Sequence, residues 1–263
     1  KKFIDASDKA VLPGFVNGHA HLAMTLLRGF EDDAPLDVWL FQRILPTEQK
    51  FVSKEFVIAG TELAALECIR FGVTTVNDMY FFAGTSASVW EKAGLRGIFS
   101  QAFAKFPMPE DKDLGTDKEK LFLKLKDQFL KNSRIKIGLG PHAGYSCTDD
   151  DLRQITRLAK EHQAPIHIHM SETKKEVADS LAEFKKTPVR RFYDLGVLAP
   201  GTICAHGVHV DENDLALLAK SGASVIYNPD SNLKLGSGVA PVPAYLRAGV
   251  PVGLGTDGAA SNN

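Results

Sequence analysis

Residues 11–21, VLPGFVNGHAH, end an apolar, β-branched run with two histidines, His19 and His21. A run of this kind reads as a buried strand of a parallel sheet. Three later stretches repeat the arrangement. His169 lies in PIHIHMSE (165–172), His206 in TICAHGVH (202–209) and Asp257 in VPVGLGTDG (250–258). Side chains from separate strands converge on one point only if the C-terminal ends of those strands face the same way. A barrel of parallel strands meets that condition and carries its active site at that face. The pattern reads as the metal site of a hydrolase.

Outward from these stretches, strands and helices alternate. Strands are expected at about 11–18, 73–79, 96–103, 135–141, 165–170, 202–206, 224–228 and 251–256. Helical segments lie between them, among them EFVIAGTELAALECIRFG, DKEKLFLKLKDQFLKN, TDDDLRQITRLAKEH and DENDLALLAKSG. The last two open on Thr or Asp caps, and FG and SG supply glycine stops. Alternating βα units imply α/β architecture with a parallel sheet, here a (β/α)8 TIM-type barrel. The crossover at roughly 22–54 is long. Its LLRGFEDDAPLDVWLFQRILPTE is expected to form a loop with short helices over the barrel mouth, where such folds build substrate pockets. No eighth helix follows the last strand before the chain stops at SNN, as in a piece of a longer protein.

The totals agree with one barrel. The 263 residues are close to the ~250 of one such domain, and 44% hydrophobic residues supply a large core. A net charge of −1 argues against broad electrostatic binding to nucleic acid or membrane. The densest basic stretch, KLKDQFLKNSRIK, reads as a solvated helix face. Cys68, Cys147 and Cys204 form no CxxC pair, which fits a reducing compartment. No apolar run reaches the ~18 residues of a membrane span, and KKFIDASDKAV has no signal-peptide core. The expected location is cytoplasmic, and the expected partner is a small-molecule substrate. Homo-oligomerisation is left open.

His-x-His in a strand puts both rings on one face, because strand side chains alternate with period two. With His169 and Asp257 they offer three nitrogens and one oxygen. That set suits one divalent ion, zinc or ferrous iron, with an open position for water. Glu172, three residues beyond His169, is placed to take a proton from a metal-bound water and pass it on. His206 is either a fifth ligand or a group that orients the hydroxide or the attacked group, and Asp257 has a second possible job in accepting a hydrogen bond from the metal-bound hydroxide. His167 shares a face with His169 one layer deeper and reads as a satisfied core histidine. His162 reads as a helix-end residue, His209 as a loop histidine, and Met24 and Met79 as packing. The fourth βα unit ends in His142 rather than a lysine that could bridge two metals, so one metal is expected.

The motifs VLPGFVNGHAHLAMTLLRG, HIHMSET, AHGVH, NPDSNLKLGSGVAP and GLGTDGAASNN together resemble the amidohydrolase superfamily. The resemblance is to its branch of methylthioadenosine / S-adenosylhomocysteine deaminases and related chlorohydrolases, and it covers nearly the whole chain. It implies a (β/α)8 barrel with one metal, normally zinc, bound by His19, His21, His169 and Asp257. It gives Glu172 as proton shuttle and His206 as the histidine hydrogen-bonded to the metal-bound hydroxide. It gives Glu48 as the carboxylate on ribose hydroxyls, His142 as a substrate contact and Trp39 as a pocket wall. It also implies a small β-sandwich built from both chain ends. Residues 1–10 would be its edge, and 11–263 the barrel of a longer chain.

There are departures. Where such deaminases commonly carry an arginine at the end of the third strand, LRGIFSQAF has Gln101, and the next loop, AKFPMPEDKDLGT, lacks the usual glycines. This weakens the case for S-adenosylhomocysteine. The expected activity is hydrolytic deamination of an aminopurine nucleoside, with catalysis by Glu172, His206 and Asp257. The alternatives are deamination of a guanine- or pterin-like ring, dechlorination of a triazine-like ring, or a non-catalytic assembly protein. A fold alone does not exclude the last, but it would be expected to have lost ligands or the acid–base carboxylate.

Overall fold

The computed structural model describes residues 3–32 and 34–262. Among these residues nine strands form one sheet: β1 (Phe15–His21), β2 (Val73–Tyr80), β3 (Arg96–Phe103), β4 (Ile135–Pro141), β5 (Ile166–Met170), β6 (Thr202–His206), β7 (Ser224–Tyr227), β8 (Val252–Leu254) and β9 (Asp257–Gly258). Every pairing is parallel, in the order β8-β7-β6-β5-β4-β3-β2-β1-β9. β8 and β9 belong to one segment. Its first half pairs with β7 (Val225↔Val252) and its second with β1 (Ala20↔Asp257). Thr256 N–H donates to the His19 carbonyl at 3.1 Å. The last segment therefore joins the seventh strand to the first, and the sheet curls into a TIM-type barrel.

Two strand boundaries differ from the sequence reading. β1 starts at Phe15 rather than Val11, because pairing to β2 begins at Phe15↔Val73 and Pro13 has no N–H to offer a ladder. His19 and His21 thus lie within the strand, not beyond its end. The final strand breaks at Gly255–Thr256, where the segment exchanges β7 for β1 as its partner. Residues 3–14 form no strand, residues 1 and 2 lie outside the described residues, and a sandwich edge at 1–10 stands as a proposal.

The helices begin where side chains can satisfy their first N–H groups. Ser53, Asp117, Thr148, Thr173, Thr187 and Asp211 each accept from the backbone N–H three residues on. The helix Glu212–Ser221 ends on Gly222 in the left-handed region (φ 73°), the stop that SG implied. The helix Asp149–His162 buries Leu152, Ile155 and Leu158, the spacing of one helical face. With Trp90, Phe99, Phe122, Leu139 and Phe192 they are fully buried in the main core. Each such side chain contributes about 1.5–3 kcal/mol. Inside the barrel the strands come close together. A Cβ on Gly18 would lie 2.6 Å from Ile226 Cδ1, so any side chain there would force Ile226 to shift.

The long crossover is more helical than expected. A 3-10 helix (Leu22–Leu27) leads to a helical stretch from Leu36 to Phe51 with a π-helical middle, Trp39–Ile44. It packs a second core, including Trp39, Ile44, Tyr80, Phe81 and Met108, above the strand ends. The three cysteines are free, two of them buried. No helix among the described residues is long and apolar enough to cross a membrane.

Candidate metal centre and its pocket

The barrel brings the four proposed ligands together. One donor atom each from His19, His21, His169 and Asp257 lies within 4.8 Å of all the others. Asp257 Oδ1 stands 3.1 Å from both His19 Nε2 and His21 Nε2. His169 Nε2 lies 3.3 Å from His21 Nε2. The far side of each group is tied down. His21 Nδ1 donates to the Met79 carbonyl and His169 Nδ1 to the His142 carbonyl at 2.7 Å. A carbonyl only accepts, so in the neutral rings both Nε2 atoms present lone pairs. His19 Nδ1 meets His167 Nε2 at 2.7 Å. Asp257 Oδ2 accepts from Ser231 Oγ at 2.7 Å and Ser261 Oγ at 3.2 Å.

Two buried imidazole lone pairs facing each other beside a carboxylate repel unless positive charge lies between them. The donor set therefore fits a divalent ion, with three nitrogens and one oxygen as for zinc or ferrous iron. The titration of the side chains points the same way. Burial pulls His21 down, but the bond to Asp257 and its charge, with Met79 and Asp78, carry it up to about 9. Burial pushes Asp257 up, and His19 and His21 overcome it to hold its carboxyl well below the usual range. Burial, followed by the neighbouring histidines, drives His169 well below the ordinary imidazole value. His19 and His169 are thus held neutral, as ligands must be, and the proton that Asp257 draws onto His21 is one that a metal would displace.

Glu172 and His206 flank the cluster, with Glu172 Oε2 3.6 Å from His206 Nε2. Asn232 and Asn228 turn their NH₂ groups to His206 Nδ1 at 2.9 and 3.3 Å. The ring proton of His206 is thereby placed on Nε2, facing Glu172. Burial, then Asp257 and Glu176, raises the Glu172 carboxyl well above its ordinary value. Three non-glycine residues around the site sit in the left-handed region: Ser171 (φ 50°), His206 (φ 75°) and Asp257 (φ 60°). Such backbone costs on the order of 1–3 kcal/mol each and clusters at functional sites.

The pocket above the cluster encloses about 730 Å³, part of it open to solvent, and is lined by His21, His142, His169, Glu172, His206 and Asp257 on its floor. Glu48 and Trp39 line its side. Glu48 is buried, accepts from Tyr80 Oη at 2.7 Å, and is pushed by burial up to about 7. The indole N–H of Trp39 is buried and has no hydrogen-bond partner among the described residues.

The structure corrects the reading of His167 as satisfied and adds to several others. Met24 and Met79 pack but also line the pocket, and the Met79 carbonyl orients His21. His167 is fully buried but only half satisfied, since its Nδ1 has no partner; it backs His19. Gln101 does not line this pocket and is turned into Glu110. His162 ends its helix as read, and His209 Nε2 meets the Ser237 carbonyl at 2.7 Å outside the pocket.

Tyr80, Asn232, Ser231 and Glu176 were missed. Glu176 accepts from Ser171 N at 3.0 Å and Glu172 N at 2.7 Å, holding the backbone that carries Glu172. Its only sequence signal, Thr173-x-x-Glu176, is that of a helix capping box, which hides the second use.

Residues 10–263 match the Amidohydrolase family. A methylthioadenosine/S-adenosylhomocysteine deaminase of Thermoanaerobacter pseudethanolicus is 44% identical over all of this chain and 60% of its own length. A 5'-deoxyadenosine deaminase of Methanothermobacter thermautotrophicus is 41% identical over 99% of this chain and 60% of its own. The solved structure of a zinc-bound adenosine deaminase from Xanthomonas campestris superposes with a TM-score of 0.90 at 40% identity, over 95% of this chain and 57% of that one. An atrazine chlorohydrolase from Arthrobacter aurescens (TM-score 0.85, 23% identity, 95% of this chain and 61% of that one) shares the fold. The chain thus spans about 60% of the length of the curated relatives it matches. With a family match over nearly all of its residues and a four-donor centre at the strand ends, the chain belongs to the Amidohydrolase family.

Proposed function

We propose that this chain carries the active site of a metal-dependent aminopurine nucleoside deaminase. The observation that carries the reading is the Glu172–His206 pair, 3.6 Å apart, beside a four-donor cluster at the floor of a pocket with a buried carboxylate, Glu48, in its wall. The names of the three relatives cited above at 40–44% identity, each a nucleoside deaminase, support the same class.

His19, His21, His169 and Asp257 would hold one divalent ion, with zinc favoured by the Xanthomonas relative. Such an ion supplies Lewis acidity that lowers the pKa of a water to about 7. The reaction exchanges the exocyclic amine of the ring for oxygen and releases ammonia. Glu172 takes a proton from the attacking water at its carboxylate and delivers it to the ring nitrogen beside the attacked carbon. His206 Nε2–H donates toward the oxygen as charge develops on it. Asp257, fixed by Ser231 and Ser261, accepts the second proton, which goes to the leaving amine. Glu48 accepts from ribose hydroxyls. His142 and the partnerless indole N–H of Trp39 are the remaining polar contacts for the nucleoside. A purine or triazine without sugar would leave Glu48 without that use.

The experiment is ammonia release by the metal-loaded, full-length polypeptide against methylthioadenosine, adenosine, guanine and a chlorotriazine. Turnover of the adenosine compounds is expected. Release from guanine alone, or chloride from the triazine alone, would reject the nucleoside. No release from any of them would reject the deaminase.

A further inference from the structure

Glu110 is fully buried, lies outside the pocket and has no part in the chemistry above. Its Oε1 accepts from Gln101 Nε2 at 2.8 Å and Lys118 Nζ at 3.0 Å, and its Oε2 from the backbone N–H of Phe82. The next residue, Asp111, accepts from Met108 N at 2.8 Å and Lys118 Nζ at 2.6 Å. On the other side Gln49 Nε2 donates to the Pro107 carbonyl at 2.5 Å. A carboxylate is buried only when its oxygens are this well supplied. What the network fixes is residues 106–108. Phe106 and Met108 face the pocket, and the Phe106 ring stands 5.6 Å from that of His142.

We propose that this pinned Phe106–Met108 stretch is a specificity wall that admits aminopurine nucleosides with an uncharged, apolar 5′ group and rejects those ending in a charged one. The inference rests on the deaminase reading. Glu48, Phe106 and Met108 line the same pocket, and Gln49, next to Glu48, is bonded to Pro107, so a ribose held at Glu48 would have the wall beside it. A methyl or thioether group at the 5′ carbon would meet the Phe106 ring and the Met108 side chain. An amino-acid or phosphate end would lose its water there without gaining an ion partner. Among the described residues no lysine or arginine lines the pocket, and Lys118 is committed to Glu110 and Asp111. Gln101 is equally committed, so it does not act in place of a substrate-binding cation.

A second cleft shares Leu36, Leu40, Tyr145 and Leu235 with the pocket and holds Lys174 and Lys175, and Lys175 is paired with Asp179 at 2.7 Å. That cleft is the rival route for a charged end. The test compares kcat/KM for 5′-methylthioadenosine and S-adenosylhomocysteine on the metal-loaded, full-length protein. The Kd of each is measured by calorimetry on the Glu172→Gln protein. A preference above about tenfold for the uncharged nucleoside is expected, in turnover and in binding. Phe106→Arg should narrow it by improving the charged compound, and Lys174→Ala should leave it unchanged. A wild-type preference below tenfold, or a charged compound that weakens on Lys174→Ala, overturns the wall and leaves the deaminase standing. No ammonia from either, with binding still separating the two, keeps the wall and removes the deaminase. No binding of either removes both. The wild-type ratio decides the matter should Phe106→Arg fail to fold.

Discussion

The floor of the pocket and its walls are built by different means. On the floor, every acting side chain comes from a strand or the few residues after one, is buried or nearly so, and has a second hydrogen bond that fixes it. His21 leans on Met79, His169 on His142, Asp257 on Ser231, His206 on Asn232. The walls come largely from the crossover of residues 22–54 and from residues 104–108, joined by Tyr80, Phe81, Ala102, Tyr145 and Leu235, and are mostly apolar. Glu48 and the Glu110 network add buried carboxyl groups to them. Reaction chemistry needs atoms held to within a fraction of an ångström, and the sheet supplies that. Choice among substrates needs only shape and the absence of stray charge, which loops vary freely.

Changes on the floor should therefore act on turnover, and changes in the wall on binding. The largest effect is expected for Asp257→Asn or His169→Ala. Both should lose bound metal, read by elemental analysis, and fall to background activity. A variant that keeps full metal and activity would remove the four-donor centre. Next, Glu172→Gln should keep the metal while kcat falls by about 10²–10⁴-fold, the range for a lost general acid–base group. Near-normal turnover would take the proton transfer away from Glu172. Glu176→Gln should keep metal and KM and lower kcat by roughly 10–100-fold, as for other outer partners of a site, because the backbone of Glu172 loses its anchor. An effect on KM alone would place Glu176 among the wall residues instead.

Glu48→Gln sharpens the contrast from the wall side. It should raise KM for ribose-bearing substrates and leave kcat close to normal. It also has a stability consequence whose sign follows from burial, which lifts the carboxyl from an ordinary 4.5 to about 7. Between those values the folded chain holds a proton that the unfolded chain has released. Stability therefore falls as pH rises from about 4.5, and the loss is complete above about 7. Glutamine has no proton to lose. The variant should match the wild type at pH 4 and exceed it at pH 8, by no more than about 3 kcal/mol. Thermal melts at the two pH values read this, and a difference that does not change with pH would sink it.

Much of the floor was legible in the sequence because a strand side chain has only two faces. His19 and His21, two apart, must share one, and so must His167 and His169. An apolar run ahead of each told where a strand lay. The boundaries of β1 and β8 were less legible, since Pro13 and the exchange of partner at Gly255 act through pairing with distant strands. Tyr80 and Asn232 carried no local sign at all. Glu176 carried a misleading one, because Thr173-x-x-Glu176 also describes an ordinary helix start. Gln101 was read by its position in the chain, whereas its direction is set by Glu110, nine residues on.

The sequence by itself determined the alternation of strands and helices, the donor types at the strand ends and the family to which they belong. These depend on period and spacing along a few neighbouring residues. Only the tertiary structure decided which nitrogen of each histidine is left to face the centre, which carboxylate holds Glu172 in place, and which loop residues look into the pocket. Those choices are made by hydrogen bonds between segments far apart in the chain. They exist only once the segment 252–258 has joined β7 to β1 and brought all the strand ends into one ring.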